Sequence, residues 1–478
     1  MIAWSFGKTT GSWPLGTWVG TGLGLVALHI VILGLSPYFG YGCRPDPEHY
    51  FLLVGTQVLA GAVYLLAVCR CRGSGESSLL LWILLVGLIL RGLMLFSTPI
   101  LEDDFYRYLW DGGVVAQGYN PYTLAPEAVV ELPRGGNPVP EALRQLAASS
   151  GPVISRINHP HLTTIYPPLA QGAFALAHWL APWSLTTWRL VLLVADVASL
   201  SLLAVILRTL HLPLAWLAMY WWNPLLVKEV LNAGHLDVLM LPFVLGSVWL
   251  TLRGWTVAAL LSLAGAVGIK IWPLILLPLL ARPLFADLRR LGLGLGVFLL
   301  ALGVIFWPLS TVGWQENSGL LAYGSRWEMN DSLFRLITWG AAAVLRVVGL
   351  EPDGGPRLAR YVVLALLSAI LLWLIRRPWR YGLDLCQRCL WTLAALFLFS
   401  PTQFPWYYVG LIPFLAIRPR LSLLLLTALL PIYYLRYFFL AQGQGWIFDN
   451  SIVWLQFLPV WILLGWEWWS NRSIVEEN

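Results

Sequence analysis

Apolar runs of roughly 20 residues recur along this chain, and most are bounded by arginine. That is the length a helix needs to cross a hydrocarbon layer about 30 Å thick. Hydrophobic residues make up 58% of the 478 residues and charged residues 11%, where a soluble domain carries roughly 25% charged. These features exclude a water-soluble enzyme, a disordered chain and a nucleic-acid binder built on basic patches. The expected fold is all-α, a polytopic transmembrane helix bundle of about 12–14 spans. The net charge of +6 then acts mainly on topology, because basic loops stay on the cytoplasmic side.

The first three spans are predicted at roughly 17–36, 50–68 and 78–97. The short basic loop from Arg70 to Ser78 is expected in the cytoplasm, which leaves the end of the third span outside. The N-terminus shows no signal-peptide pattern. After the third span comes the longest polar stretch, Thr98 to Tyr166. It holds seven acids (Glu102, Asp103, Asp104, Asp111, Glu127, Glu131 and Glu141) against Arg107, Arg134, Arg144 and Arg156. A loop of this length in a compact bundle is usually functional. Basic clusters at Arg208, Arg253, Arg282/Arg289/Arg290, Arg376/Arg377/Arg380 and Arg418/Arg420 all fall inside only if Pro168–Pro182 and Phe334–Leu350 do not cross. Both are therefore expected as interfacial or partly inserted helices on the outer side. The chain reads as three N-terminal spans (1–97), an outer loop with interfacial helices (98–183) and a transmembrane core (184–478), in one integrated membrane domain. Five cysteines imply no disulfide framework, and the CxxC of Cys386 and Cys389 lacks a second ligand pair at zinc spacing.

Polar clusters interrupt this background. In LEDDFYRYLWDG (Leu101 to Gly112) three carboxylates stand where a span leaves the membrane. Crowded acids repel, so at least one should hold its proton more tightly and be able to accept one from a hydroxyl. NHPHLTTIYPPL (Asn158 to Leu169) offers His159 and Tyr166, with Pro167 and Pro168 suited to a helix start. NPLLVKEVLNAGHLDVL (Asn223 to Leu239) carries Lys228, Glu229, Asn232, His235 and Asp237 at membrane depth, where charge is costly and marks function by default. Lys228 and Glu229 are neighbours, so they are expected on different sides of a helix rather than paired. Lys270 ends an apolar run, and an ammonium there suits a phosphate at the boundary. YGSRWEMNDSLF supplies Arg326, Glu328, Asn330 and Asp331, and SPTQFPWYYVGLIP supplies Gln403, Trp406 and Tyr407. Arg91 and Asp196, inside predicted spans, are expected to form an ion pair.

Taken in order, DDFYRYLWDG, GYNPY (Gly118 to Tyr122), NHPHLTTIYPPLAQ, NPLLVKEVLNAGHLD, the K-x-x-P at Lys270, RWEMND and SPTQFPWYY resemble the GT-C superfamily of integral-membrane glycosyltransferases. The branch they resemble is that of bacterial mannosyltransferase-like proteins using polyprenyl-phosphate sugars. The resemblance covers roughly residues 90 to 415, and the three spans before the acidic loop depart from members with one. It implies an inverting hexosyltransferase of the plasma (inner) membrane, with its site facing outside the cytoplasm. Mannose is the favoured hexose, and the acceptor is a hydroxyl of a glycan, lipid or protein. Asp103 is implied as general base, with Asp104 orienting the acceptor or holding a metal (Mg2+ or Mn2+, with Asp103 and Asp104 as ligands if any). Lys270, Lys228, His235 and Arg326 are implied at the donor phosphate. Tyr106, Arg107, Asn120, His159, Tyr166, Asn232, Asp237, Glu328, Asn330, Asp331, Gln403, Trp406 and Tyr407 are implied around the substrates. Membrane lipids are expected partners, and nucleic acid is not. The rival expectation is a polytopic transporter or lipid flippase, with Arg91, Asp196 and Lys270 lining a pathway.

Overall fold

The computed structural model describes residues 15–69, 77–130, 139–312 and 318–476. The basic loop after the second span, with Glu131, Arg134 and the start of the loop at Trp314, lies outside them. The described residues form helices and no named strand. A single bridge joins Met329 to Thr402.

The principal helices are α1 (Leu15–Leu35), α2 (Pro47–Val68), α3 (Ser77–Leu95), α4 (Asp104–Ala116), α5 (Pro168–Leu180), α6 (Leu185–Thr209), α7 (Thr256–Ile269), α8 (Leu288–Ser310), α9 (Leu333–Val347), α10 (Gly355–Ile375), α11 (Gly382–Phe399) and α12 (Val453–Glu476). Nine helices among the described residues are long and apolar enough to cross a membrane, or ten if the broken pair Pro224–Asn232 and Leu236–Leu252 counts as one span. The chain is thus a multi-pass membrane protein. The expected count of about 12–14 includes apolar stretches that the fold shortens. Thr256–Ile269 has 14 residues, which gives a rise of about 21 Å. The apolar stretch from Pro405 to Ile417 divides into the turn Pro405–Gly410 and the helix Ile412–Ile417.

The chain divides into two compact units. One comprises Met1–Thr98, Leu203–Glu229 and Glu328–Asn478. Here the N-terminal spans are tied to the segment after α6 by tryptophans. Trp221 Nε1 donates to the Leu84 carbonyl at 3.0 Å, Trp222 Nε1 to that of Ile83 at 2.8 Å, and Tyr64 Oη to that of Met219 at 2.7 Å. Close approach is possible because Gly87 lies against the Trp221 ring, where a Cβ would come within 2.0 Å. Arg91 donates to the carbonyls of Gly87 (3.0 Å) and Trp221 (2.7 Å) and lies 3.3 Å over the Trp221 ring. Its guanidinium is therefore engaged by backbone and indole within its own unit. Asp196 is a buried residue of α6, in the other unit.

The second unit comprises Pro99–Leu202 and Val230–Trp327. Its centre is the crossing of α4 and α5. Pro167 in extended conformation precedes α5, and Pro168 begins it, where its missing N–H costs nothing. Tyr108 of α4 stacks on Phe174 of α5 at 4.8 Å, with Tyr166 and Trp188 edge-on to the pair. Gly112 makes the crossing possible: a Cβ there would sit 2.4 Å from the Phe174 carbonyl oxygen. The obstruction is backbone and cannot rotate away. Gly112→Ala is expected to destabilise the protein by about 1–3 kcal/mol, read as a lowered thermal midpoint in detergent. An unchanged midpoint would show that the two helices are free to separate.

Candidate active site

The end of α3 gives way to an extended turn in which Leu101 takes a left-handed φ of 58°. Non-glycine residues rarely adopt that conformation, and here it turns the next three side chains, Glu102, Asp103 and Asp104, toward protein. The turn is held from behind. Asn232 Oδ1 accepts the Ile100 N–H at 3.0 Å, and the Asn232 carbonyl accepts from Arg189. Gly234, at φ 78°, breaks the helix after Asn232, and its carbonyl accepts from Trp188 Nε1 at 2.7 Å. These bonds bring His235 and Asp237 up beneath the acids.

Asp103 precedes α4 with a non-helical backbone (φ −136°), and Asp104 opens the helix. One amide joins them: Asn158 Nδ2 donates to Asp103 Oδ1 at 2.9 Å and to Asp104 Oδ1 at 2.8 Å. His235 stands between two acids, with Nδ1 3.8 Å from Asp104 Oδ2 and Nε2 3.7 Å from Glu102 Oε2. Lys270, in extended conformation just past the end of α7, is ion-paired with Asp237. Arg107 donates to the carbonyl of Leu162 at 2.6 Å and lies 4.0 Å from Asp111. Asp111 in turn accepts from Gln171 at 3.2 Å, and Gln171 also donates to Thr164 at 2.9 Å. The loop bearing Asn158 is thereby bolted to α4 and α5.

Burial, then the negative charge of Asp104, pushes the Asp103 carboxyl up to about 6. Burial raises Asp104 as well, but Asn158 and the charges of Lys270, His159 and Arg107 pull it back. Crowding of the acids thus acts as the sequence suggests, with desolvation as the larger cause. Two carboxylates in one place differ in what surrounds them: Asp103 has the amide and a like charge, while Asp104 has the amide and cations. Such a division suits one acid to proton transfer and the other to positioning.

The other residues singled out in the sequence fall as follows. In the same unit, the Tyr106 hydroxyl accepts from Arg156 at 2.8 Å. Asn120 donates to the Pro308 carbonyl at 2.7 Å and fastens the GYNPY turn to α8. His159, at φ 48°, sets its ring edge-on to Trp327 at 4.9 Å. The Tyr166 carbonyl accepts from the Tyr122 hydroxyl at 2.7 Å. Arg326 ends a short helix (Gly319–Arg326), and its side chain lies outside the described residues.

Lys228, Glu328, Asn330, Asp331, Gln403, Trp406 and Tyr407 belong to the first unit. Lys228 and Glu229 do pair, at 3.4 Å, contrary to the expectation from their adjacency. The backbone is a π-helical turn there (Lys228–Asn232) rather than an α-helix. The Tyr434 hydroxyl brackets both side chains, accepting from Lys228 and donating to Glu229 at 2.8 Å. Glu328 is ion-paired with Arg360 at 3.0 Å, and Asp331 is 3.5 Å from Arg335. Asn330 and Gln456 exchange side-chain hydrogen bonds at 2.8 and 3.3 Å, and Asn330 also donates to the Gln403 carbonyl at 2.9 Å. Trp406 is buried and stacks on Phe404 at 4.4 Å, with Tyr407 edge-on.

Sequence reasoning missed Asn158, whose bridging role no motif announces, although it stands next to His159. It also gave Glu102 no role, and that acid lies against His235. Among the described residues no group of three or more His, Cys, Asp or Glu is placed to hold a metal. The Oδ1 atoms of Asp103 and Asp104 both meet the Asn158 amide donor. Cys386 and Cys389 are free and buried in α11.

Residues 44–286 match the family model described as alpha-(1->6)-mannopyranosyltransferase, N-terminal domain. That span is about half of the chain and contains every member of the carboxylate cluster. It favours a transferase over the transporter or flippase alternative. Searches of curated proteins and of solved structures return no match.

Proposed function

We propose that this chain, which belongs to the alpha-(1->6)-mannopyranosyltransferase family and is a GT-C-type membrane glycosyltransferase, takes mannose from a polyprenyl-phosphate carrier. It passes the sugar with inversion to a hydroxyl of a glycan, lipid or protein acceptor, at the outer face of the inner membrane. The observation that carries this reading is the carboxylate pair at the start of α4, joined by Asn158 and flanked by His235 and Lys270.

In the reaction the acceptor oxygen attacks the anomeric carbon as the bond from that carbon to the phosphate oxygen breaks. Asp103 takes the hydroxyl proton. With its carboxyl raised to about 6, it is ionised at neutral pH yet more basic than a solvated aspartate, which suits a general base. The phosphate departs as an anion and needs no proton. It needs positive charge, which Lys270 supplies by exchanging part of its contact with Asp237 for the phosphate. Asp104, held by Asn158 and His235, keeps Asp103 oriented. A polyprenyl chain requires an apolar surface, and in the same unit α6 and α8 expose Val194, Leu299, Leu300 and Val304.

The test supplies the purified protein in lipid with polyprenyl-phosphate mannose and a mannoside acceptor. Lys270→Gln is expected to raise the donor KM by about tenfold or more, the scale of one lost charge-assisted contact, while the acceptor KM stays near that of the wild type. Equal effects on both substrates would remove Lys270 from the donor site. No transfer by the wild type from this donor, with transfer from a nucleotide sugar, would overturn the donor assignment.

A further inference from the structure

Away from the carboxylate cluster, the first unit contains a cavity of about 1030 Å³ lined by five arginines: Arg376, Arg377, Arg388, Arg418 and Arg420. Four apolar segments end around it. Arg376 and Arg377 follow the last turn of α10, and Arg388 lies in the second turn of α11. Arg418 and Arg420 immediately precede the span Leu421–Ala441, and Glu467 lies near the end of the span Gly445–Ser470. A cavity at the joint ends of four spans lies at a membrane boundary. Within this unit it is at the opposite end of α11 from Gln403 and Asn330. The 18 residues of that helix rise about 27 Å, close to the thickness of a hydrocarbon layer.

The charge in the cavity is not balanced. Of its two acids, Asp384 is held by Arg388 through two contacts, at 3.0 and 2.8 Å. Glu467 accepts from the Ser422 hydroxyl at 2.7 Å and its N–H at 3.3 Å. Arg418 is bonded to the neutral Gln387, and Arg420 lies 5.3 Å over the Trp391 ring. Arg376 and Arg377 are exposed, and their guanidinium groups have no hydrogen-bond or ion-pair partner among the described residues. Burial, and then the charge of Arg420, lowers the Arg418 pKa. An anion entering the cavity would relieve that repulsion.

We propose that this cavity binds the phosphate ester of an anionic phospholipid headgroup, drawn from the leaflet it faces. Planar guanidinium groups suit phosphate oxygens, and basic pockets between spans take acidic headgroups. A lipid is favoured over a dissolved phosphate ester because two wall residues, Trp373 and Trp468, are 70% and 57% exposed. Exposed tryptophans at the ends of spans sit at headgroup level, so the cavity opens where lipid phosphates are concentrated. The proposal is independent of the donor and acceptor assigned to the carboxylate cluster.

The test uses the full chain in phosphatidylcholine nanodiscs containing phosphatidylglycerol, with retained lipid counted by native mass spectrometry. Wild type is expected to retain phosphatidylglycerol preferentially. R376Q/R377Q should lose that preference by about tenfold or more with an unchanged thermal midpoint, since neither side chain holds the fold. R420Q provides a second variant from another wall of the cavity. Equal preference in the wild type and both variants would overturn the proposal. In detergent, stabilisation of the wild type by glycerol 3-phosphate as strong as that by phosphatidylglycerol would assign the cavity to a soluble ester and overturn the lipid assignment.

Discussion

Asp103→Asn is expected to reduce mannosyl transfer by about 10²–10⁴-fold, the range attributed to a positioned general base. The substitution keeps the shape of the side chain and an oxygen for Asn158 to donate to, so the loop has no reason to move. Its effect on stability should be neutral or favourable at neutral pH. The fold raises the Asp103 carboxyl from 3.8 to about 6. The native state therefore binds more protons than the unfolded state between those values, and stability falls as pH rises through that window. Asparagine removes this penalty, so the variant should match or exceed the wild type in thermal midpoint at pH 7.5, with the advantage gone near pH 4. In the wild type, kcat should decline as pH drops below about 6. Near-normal turnover by the variant, or loss of turnover confined to Asp104→Asn, would transfer the base to another group.

Lys228→Met is expected to act on stability instead. Lys228 is buried against the buried Glu229, and the Tyr434 hydroxyl bonds both. Removing the cation leaves the acid without the charge that lies against it, and breaking a buried pair from one side costs about 3–5 kcal/mol. Replacing both residues, as Lys228→Met with Glu229→Gln, should recover much of that loss, because no buried carboxylate then remains there. Chemical denaturation in mixed micelles reads the difference. A single variant as stable as the wild type but impaired in donor binding would return Lys228 to the phosphate site implied by the family resemblance.

The two lysines show how far sequence reading reaches. Lys228 and Lys270 share one feature in the chain: each ends an apolar stretch, but Lys228 adjoins Glu229 while the nearest acids to Lys270 are Asp237 and Asp287. The fold puts one against Glu229 and Tyr434 in a wide helical turn, and the other against Asp237 next to the carboxylate pair. Nothing local announces the Lys270 pair, because its partner is 33 residues away and the left-handed turn at Leu101 depends on Asn232. The acidic cluster was legible as chemistry because charge at the end of a span is costly and needs a reason. Asn158 was not, since an amide in a loop is ordinary until both of its neighbours prove to be carboxylates.

The apolar runs alone determine that this is a helical membrane protein, because backbone polar groups in lipid must be satisfied within their own segment. Their arginine-flanked ends set where the boundaries fall, and the order of motifs identifies a sugar transferase. Tertiary structure alone decides how far burial and neighbouring charge act on each acid, which lysine is committed to a buried pair, and where arginines collect without enough acids to meet them. Those outcomes rest on desolvation and on distances between residues far apart in the chain, and neither quantity exists until the helices have packed.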